Sequence, residues 1–347
     1  MSSDLQSSAN WESSTLCTLY KQLWVGAKPL PDNISLAGQT AVITGGNAGL
    51  GFEAGRQLLQ LGLSNLVIAV RSRSKGEAAA SKLREEFPLS TITVSIVDLT
   101  DYDSITNFCR ECEKLERLDY VILNAGLMAS ELRRAERTGH ELVFQTNYLS
   151  TVFMVLLLVP TLISKSKTNK SDHPPVLSIV GSDTMYSSTF TASTSVFDTI
   201  DNPPSYEELP HYATTKLLLM MFISRLAKEV DSENIIINVC NPGLTNGTGL
   251  VHHNEDQGLL NRVGSMLLRG LGRPIHVGAS NYTYALLAAG LESHGSFVSD
   301  WSIKPYAPIM YTTDGQKISD MLWEETLREL TASGPVSLWF KPSFSLL

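Results

Sequence analysis

The stretch Thr40-Ala41-Val42-Ile43-Thr44-Gly45-Gly46-Asn47-Ala48-Gly49-Leu50-Gly51 decides the architecture. Its first five residues are β-branched or small, the composition of a buried strand. Glycines then stand at 45, 49 and 51 in a G-x-x-x-G-x-G spacing, and a helical pattern resumes directly afterwards. Glycine lets the chain turn tightly and brings its backbone close to an anion with no Cβ between them. The helix that follows presents unpaired N–H groups at its N-terminus. Strand, glycine turn and helix in that order predict a cradle for a dinucleotide pyrophosphate, built from Gly45, Asn47, Gly49, Leu50 and Gly51.

Working outward, short Val- and Ile-rich runs alternate with helical segments. Strands are expected at Thr40–Thr44, Asn65–Val70, Thr91–Val97, Tyr120–Asn124, Val176–Gly181 and Ile235–Cys240, and helices near 50–61, 75–86, 102–116, 140–163, 212–229 and 276–290. This alternation predicts an α/β fold, a Rossmann-type doubly wound parallel sheet whose ligands bind beyond the carboxyl ends of the strands. A single domain is expected, with an N-terminal extension (1–36), an NADP-binding catalytic unit (37–300) and a C-terminal extension (301–347). Within the unit, 183–210 reads as an inserted loop and 243–275 as a substrate lid, because long loops at this rim usually cover the ligand. In the N-terminal extension, Leu16, Tyr20, Leu23 and Trp24 are spaced to dock as a short helix.

An acidic residue about 20 positions after the glycines would hold the ribose hydroxyl of NAD. Here Val70 ends the second strand and Arg71, Arg73 and Lys75 follow, with no carboxylate. Cations there suit a 2′-phosphate, so NADP(H) is expected, held chiefly by Arg71, with Lys75 either assisting or simply solvated. Asp98 and Asn124-Ala125-Gly126 follow the third and fourth strands at the rim where adenine and ribose would lie.

Tyr212 and Lys216 are four apart in a helical segment and therefore share a face. An ammonium there would favour the phenolate and let Tyr212 exchange a proton with a substrate oxygen near neutral pH. Ser182, at the end of the fifth strand, can donate to the reacting carbonyl, and Asn147, in the preceding helix, can order a water beside Lys216. Ser182 equally reads as a turn cap, and Asn147 as a buried, satisfied amide.

Taken together, Thr-Gly-x-x-x-Gly-Leu-Gly, Asn-Ala-Gly, the Asn-Ser-Tyr-Lys set and Asn241-Pro242-Gly243 resemble the short-chain dehydrogenases/reductases over about residues 38–300. The segment at Glu292-Ser293-His294-Gly295 and the N-terminal extension are similar to fungal members related to the retinol-dehydrogenase branch, many of them in secondary metabolism. The resemblance implies that Asn147, Ser182, Tyr212 and Lys216 act as the catalytic tetrad, with Gly45, Leu50, Asp98, Asn124, Gly126, Thr245, Tyr212 and Lys216 bordering the cofactor. Two departures stand out. The family's Ser or Thr four residues after the Pro-Gly glycine is here Gly247, leaving Thr245 or Thr248 to meet the nicotinamide carboxamide; and Ser182 and Tyr212 lie 30 apart, which implies an insertion over the site.

Composition narrows the alternatives. With a net charge of −8 and scattered basic residues, nucleic acid is not an expected partner. Four cysteines are too few for a disulfide scaffold, and Cys109-x-x-Cys112 reads as one pitch of an amphipathic helix; no metal is expected, since His252-His253-Asn254-Glu255 lacks zinc-helix spacing. No secretory signal is recognisable, and the apolar run Thr151–Ile163 is short for a membrane span and contains Pro160, so it reads as a core helix in a cytoplasmic protein. Met185, Tyr186, Phe190, Phe197, Tyr206, Leu244 and Leu250 either line a pocket for a hydrophobic carbonyl or alcohol, or anchor their loops. The expected activity is NADPH-linked ketone or aldehyde reduction, reversible in principle, by a chain compatible with a homodimer. A non-redox dehydratase or isomerase, or an NADP-sensing protein, are the rival readings.

Overall fold

The computed structural model describes residues 1–169, 173–246 and 272–333. Among these, eight strands form one sheet: β1 (Thr40–Thr44), β2 (Asn65–Val70), β3 (Thr91–Ile96), β4 (Tyr120–Leu123), β5 (Val176–Val180), β6 (Ile236–Asn241), β7 (Phe297–Ser299) and β8 (Ser302–Lys304). The order across the sheet is β3-β2-β1-β4-β5-β6-β7-β8, and only β7–β8 is antiparallel. The six expected strands are present, two with the expected ends and four with ends moved by one residue. The other two are three residues each, too short to show a periodic pattern.

Strands β1 and β6 are buried along their whole length, as parallel strands must be when helices cover both faces. On one face Gly49–Gln60, Arg73–Glu86 and Ile275–Leu287 pack around Leu58, Leu66, Leu83 and Tyr282. On the other, Tyr102–Glu113, Leu142–Asn169 and Glu208–Leu226 enclose Phe108, Phe144, Phe153 and Leu217. The helix Leu142–Asn169 is long and apolar enough to cross a membrane, but 89% of that window is buried inside the protein. It is the core helix expected from its sequence. All four cysteines are free and buried; burial first, then nearby glutamates, push the Cys112 thiol up to about 12, which disfavours its thiolate and fits side chains packed in the core.

From β1 the chain builds β2 and β3 to one side, then returns to lay β4 on the other. That reversal opens a crevice at the carboxyl ends of β1 and β4, and parallel pairing aligns the ends of β5 and β6 along the same edge. Beyond the sheet, the helix Thr313–Ser333 packs into the core: Trp323 stacks on Phe222 at 4.9 Å, and the Tyr148 hydroxyl meets Thr326 Oγ1 at 2.7 Å.

The N-terminal extension does form a helix, Thr15–Trp24, but it docks by the face opposite to the one expected. Leu16, Tyr20, Leu23 and Trp24 are exposed, while Cys17 and Lys21 are buried. Glu12 and Asp300 pair with Lys21 on the inward face, so the buried ammonium is compensated there while the apolar stripe stays outside.

Candidate active site

The glycine turn behaves as its spacing demands. Gly45 and Gly49 have φ of 68° and 59°, in the left-handed region where a side chain is strained. At Gly51 a Cβ would sit 2.6 Å from Asn124 Nδ2 and 2.7 Å from the Gly45 carbonyl oxygen, so only glycine fits. The helix Gly49–Gln60 begins at Ala48 without a side-chain cap, which leaves its first N–H groups free for an anion. Asn47 and Leu50 flank the turn, both partly exposed.

Thr44 pins this turn to the next strand. Its buried Oγ1 accepts from the backbone N–H groups of Asn124 and Ala125, both at 3.0 Å, and Asn124 Nδ2 donates to the Thr44 carbonyl at 2.9 Å. Asn124 thus locks the ends of β1 and β4 at the crevice. Asp98, after β3, accepts from Thr100 N and Oγ1 at 2.9 and 2.7 Å and so shapes its own turn. Arg71, Arg73 and Lys75 lie exposed after β2, and Ser72 caps the helix they begin. None of the three forms an ion pair among the described residues, so their charges are available to an anion.

The helix bearing Tyr212 starts at Glu208, one turn earlier than expected, so Tyr212 and Lys216 stand in its second and third turns, both buried. Lys216 Nζ donates to the Val180 carbonyl at 2.8 Å and lies 5.5 Å from the centre of the Tyr212 ring. Burial drives the lysine down from 10.5 to about 8, only partly opposed by Cys240. Burial also drives the Tyr212 phenol upward, against a hydrogen bond with Ser182. The expected acidification of the phenol by the lysine is therefore not a property of the protein alone: desolvation dominates both groups, and the ammonium hydrogen bond goes to a carbonyl. Ser182 is also a turn cap, accepting from Thr184 N at 3.2 Å and Thr184 Oγ1 at 2.9 Å.

Asn147 sits in a π-helical turn, Gln145–Leu149, between Leu142–Phe144 and the long helix from Ser150. Such widened turns often mark functional positions. Its amide is fully engaged: Oδ1 accepts from Leu127 N at 2.9 Å, and Nδ2 donates to Leu127 O at 2.9 Å and Thr215 Oγ1 at 3.3 Å. Both Asn147 and Lys216 converge on Gly126, where a Cβ would lie 3.0 Å from Asn147 Oδ1 and 3.8 Å from Lys216 Nζ. Thr215 escaped the sequence reading because a lone threonine carries no spacing signal, and Thr44 stood there only as the first residue of the glycine motif.

Thr245 Oγ1 donates to the Gly243 carbonyl at 3.1 Å, in the turn after β6. Its rival Thr248, together with Gly247, Leu250 and His252-His253-Asn254-Glu255, lies outside the described residues. Most loop aromatics are anchors. Tyr186 donates to the Pro305 carbonyl, Tyr206 to the Ala129 carbonyl, Met185 is buried, and Phe197 packs edge-on to Phe144. Leu244 is different, 43% exposed at the rim. Among the described residues no cluster of metal-ligating side chains occurs.

Comparison with known proteins places this geometry in context. A family model described as short chain dehydrogenase matches residues 39–170. The chain is 45% identical over 335 residues to short chain dehydrogenase virL of Hypocrea virens, covering 96% of this chain and 97% of that protein. It is 41% identical to short chain dehydrogenase/reductase mfmJ of Annulohypoxylon moriforme, covering 86% of each. Among solved structures, L-sorbose reductase of Gluconobacter frateurii, complexed with NADPH and L-sorbose, superposes with a TM-score of 0.58 at 21% identity over 77% of this chain and 96% of that one.

Proposed function

The chain belongs to the short chain dehydrogenase family, and on that premise we propose that it is an NADP(H)-dependent oxidoreductase that interconverts a ketone or aldehyde and its alcohol on a hydrophobic small molecule of fungal secondary metabolism. The observation that carries this reading is the convergence of Tyr212, Ser182, Lys216 and Asn147 at the ends of β4 and β5, beside the glycine cradle. The relatives at 45% and 41% identity are fungal short chain dehydrogenases, which is compatible with that setting. Free cysteines fit a reducing, cytoplasmic environment.

The cradle fits a dinucleotide, since Gly45 and Gly51 let the turn pack closely on Asn124, the space beside Gly49 is open, and the uncapped helix N-terminus faces it. Gly45, Asn47, Gly49, Leu50 and Gly51 would hold the pyrophosphate, Arg71 and Lys75 the 2′-phosphate, Asp98, Asn124 and Gly126 the adenosine side of the crevice, and Thr245 the carboxamide. When bound, the dihydronicotinamide supplies the hydride for the carbonyl carbon. Ser182 orients the carbonyl oxygen, Tyr212 delivers the proton that completes the alcohol, and Lys216 holds positive charge against the developing phenolate. Asn147 keeps the Gly126–Leu127 backbone and the Tyr212 helix in register. Leu244 at the rim, with the apolar outer face of Thr15–Trp24 beside it, favours a hydrophobic substrate.

The test is to incubate the protein with NADPH and a panel of hydrophobic aryl ketones, quinones and aldehydes, following cofactor oxidation and alcohol formation together. Equimolar appearance of both is expected, and its loss in Tyr212→Phe. Product without cofactor consumption would instead identify a non-redox reaction.

A further inference from the structure

The first 25 residues carry two charges that face inward and seven large apolar side chains that face out. Glu12 and Lys21 are 6% and 4% exposed and pair at 2.6 Å. Around them the segment is fastened at several points to the rim that carries the candidate site. Gln22 Nε2 donates to the Leu244 carbonyl at 2.9 Å, and Arg273 donates to the Lys21 carbonyl at 2.9 Å. Ser2 is tied to Ser296 and Phe297 at the start of β7.

Lys21 reaches furthest. Its ammonium lies 3.9 Å from Asp300 Oδ2 and 5.9 Å from the centre of the Tyr186 ring. Tyr186 belongs to the short turn Asp183–Ser187 that Ser182 caps. Asp300 sits in a two-residue hairpin where both Asp300 and Trp301 have positive φ, 50° and 52°. Such a conformation is costly for a tryptophan and persists only where surrounding contacts enforce it. Here Arg273 pairs with Asp300 at 2.7 Å and lies over the Trp301 ring at 5.0 Å. Burial works against the Lys21 charge but is outweighed by Glu12, Asp300 and Asp183. Burial raises the Asp183 carboxyl, while Lys21 and a hydrogen bond with Asn241 pull it back. One buried ammonium therefore faces the turn after β5, the hairpin β7–β8 and its own helix at once.

We propose that Lys21 is a positioning residue for Ser182, and that residues 1–25 are a strap that sets the turn Asp183–Ser187 through Asp183 and Tyr186. The proposal rests on the oxidoreductase reading and extends the working site to a segment outside the dinucleotide-binding fold. With the strap in place the Ser182 hydroxyl is held toward the Tyr212 phenol; without the Lys21 charge, Asp300 keeps its Arg273 partner but Asp183 loses its cation, and the turn relaxes.

The experiment uses the full chain with NADPH and phenanthrenequinone as carbonyl probe. Lys21→Met is expected to lower kcat about tenfold with NADPH affinity unchanged, and Lys21→Arg to keep kcat within about threefold of the parent. Glu12→Leu/Lys21→Met replaces the pair with apolar side chains and should melt within about 3 °C of the parent, yet show the same loss of kcat. In the Asp183→Asn background, Lys21→Met should cost nothing further, because both substitutions remove one interaction. A double variant with parental melting and parental kcat overturns the proposal. So do losses from Lys21→Met and Asp183→Asn that simply multiply, a result that decides the matter even if Glu12→Leu/Lys21→Met fails to fold. Tyr212→Phe in the same assay separates the levels: parental rate there sinks the catalytic reading itself, whereas parental rate only in the strap variants sinks the strap.

Discussion

At the residue scale, the chemistry turns on two side chains that burial moves in opposite directions. The displacement of Lys216 from 10.5 to about 8 corresponds to roughly 3 kcal/mol against its charged form. Tyr212, raised by burial, stays protonated through neutral pH and is ready to donate. The sign for reduction follows: the phenol is available throughout, but the ammonium discharges as pH rises through about 8. Reductive kcat/KM should therefore be level on the acidic side and fall above pH of about 8, and the falling limb should disappear in Lys216→Met along with about a hundredfold in rate. Tyr212→Phe should lower kcat by about 10²- to 10⁴-fold while leaving NADPH affinity, measured by fluorescence titration, near the parental value. The Tyr-x-x-x-Lys spacing was visible in the sequence; the direction of each shift was not, because it depends on how much water the packed helix Glu208–Leu226 excludes.

Elements explain why these side chains meet. The crevice exists because β4 returns to the side of β1 opposite β2, and the glycine turn must then pass within contact of Asn124. In Gly51→Ala the new methyl would meet the Gly45 carbonyl at 2.7 Å, a backbone atom that cannot swing aside. That variant should bind NADPH at least about tenfold more weakly and also lose about 1–3 kcal/mol of stability, as a titration beside a thermal melt would show. At the end of β2, Arg71→Asp should shift preference from NADPH toward NADH, read as the ratio of kcat/KM values for the two cofactors. Strand and helix order were legible from alternating Val- and Ile-rich runs. The π turn at Gln145–Leu149 was not, since Gln-Thr-Asn-Tyr-Leu reads as part of an ordinary helix and only the widened backbone turn distinguishes it.

For the whole molecule, the extensions at both ends are structural partners of the sheet. The helix Thr313–Ser333 buries Ile318, Leu322, Trp323, Leu327 and Leu330. Trp323→Ala should cost about 3–5 kcal/mol, seen as a lower urea midpoint, because the space between Phe222 and Arg225 cannot collapse. What the sequence determined by itself was local: the glycine spacing, the cations after β2, the Tyr-Lys pair and the strand periodicity each reside in a few consecutive residues whose physics is set by φ, charge and side-chain period. Tertiary structure alone decided which face of Thr15–Trp24 turns inward, that most loop aromatics are anchors, and that Lys21, Asp183, Asp300 and Arg273 share one buried network. Those outcomes depend on charges up to 279 residues apart in sequence meeting in a low-dielectric space, where a buried charge must find a partner that no local pattern reveals.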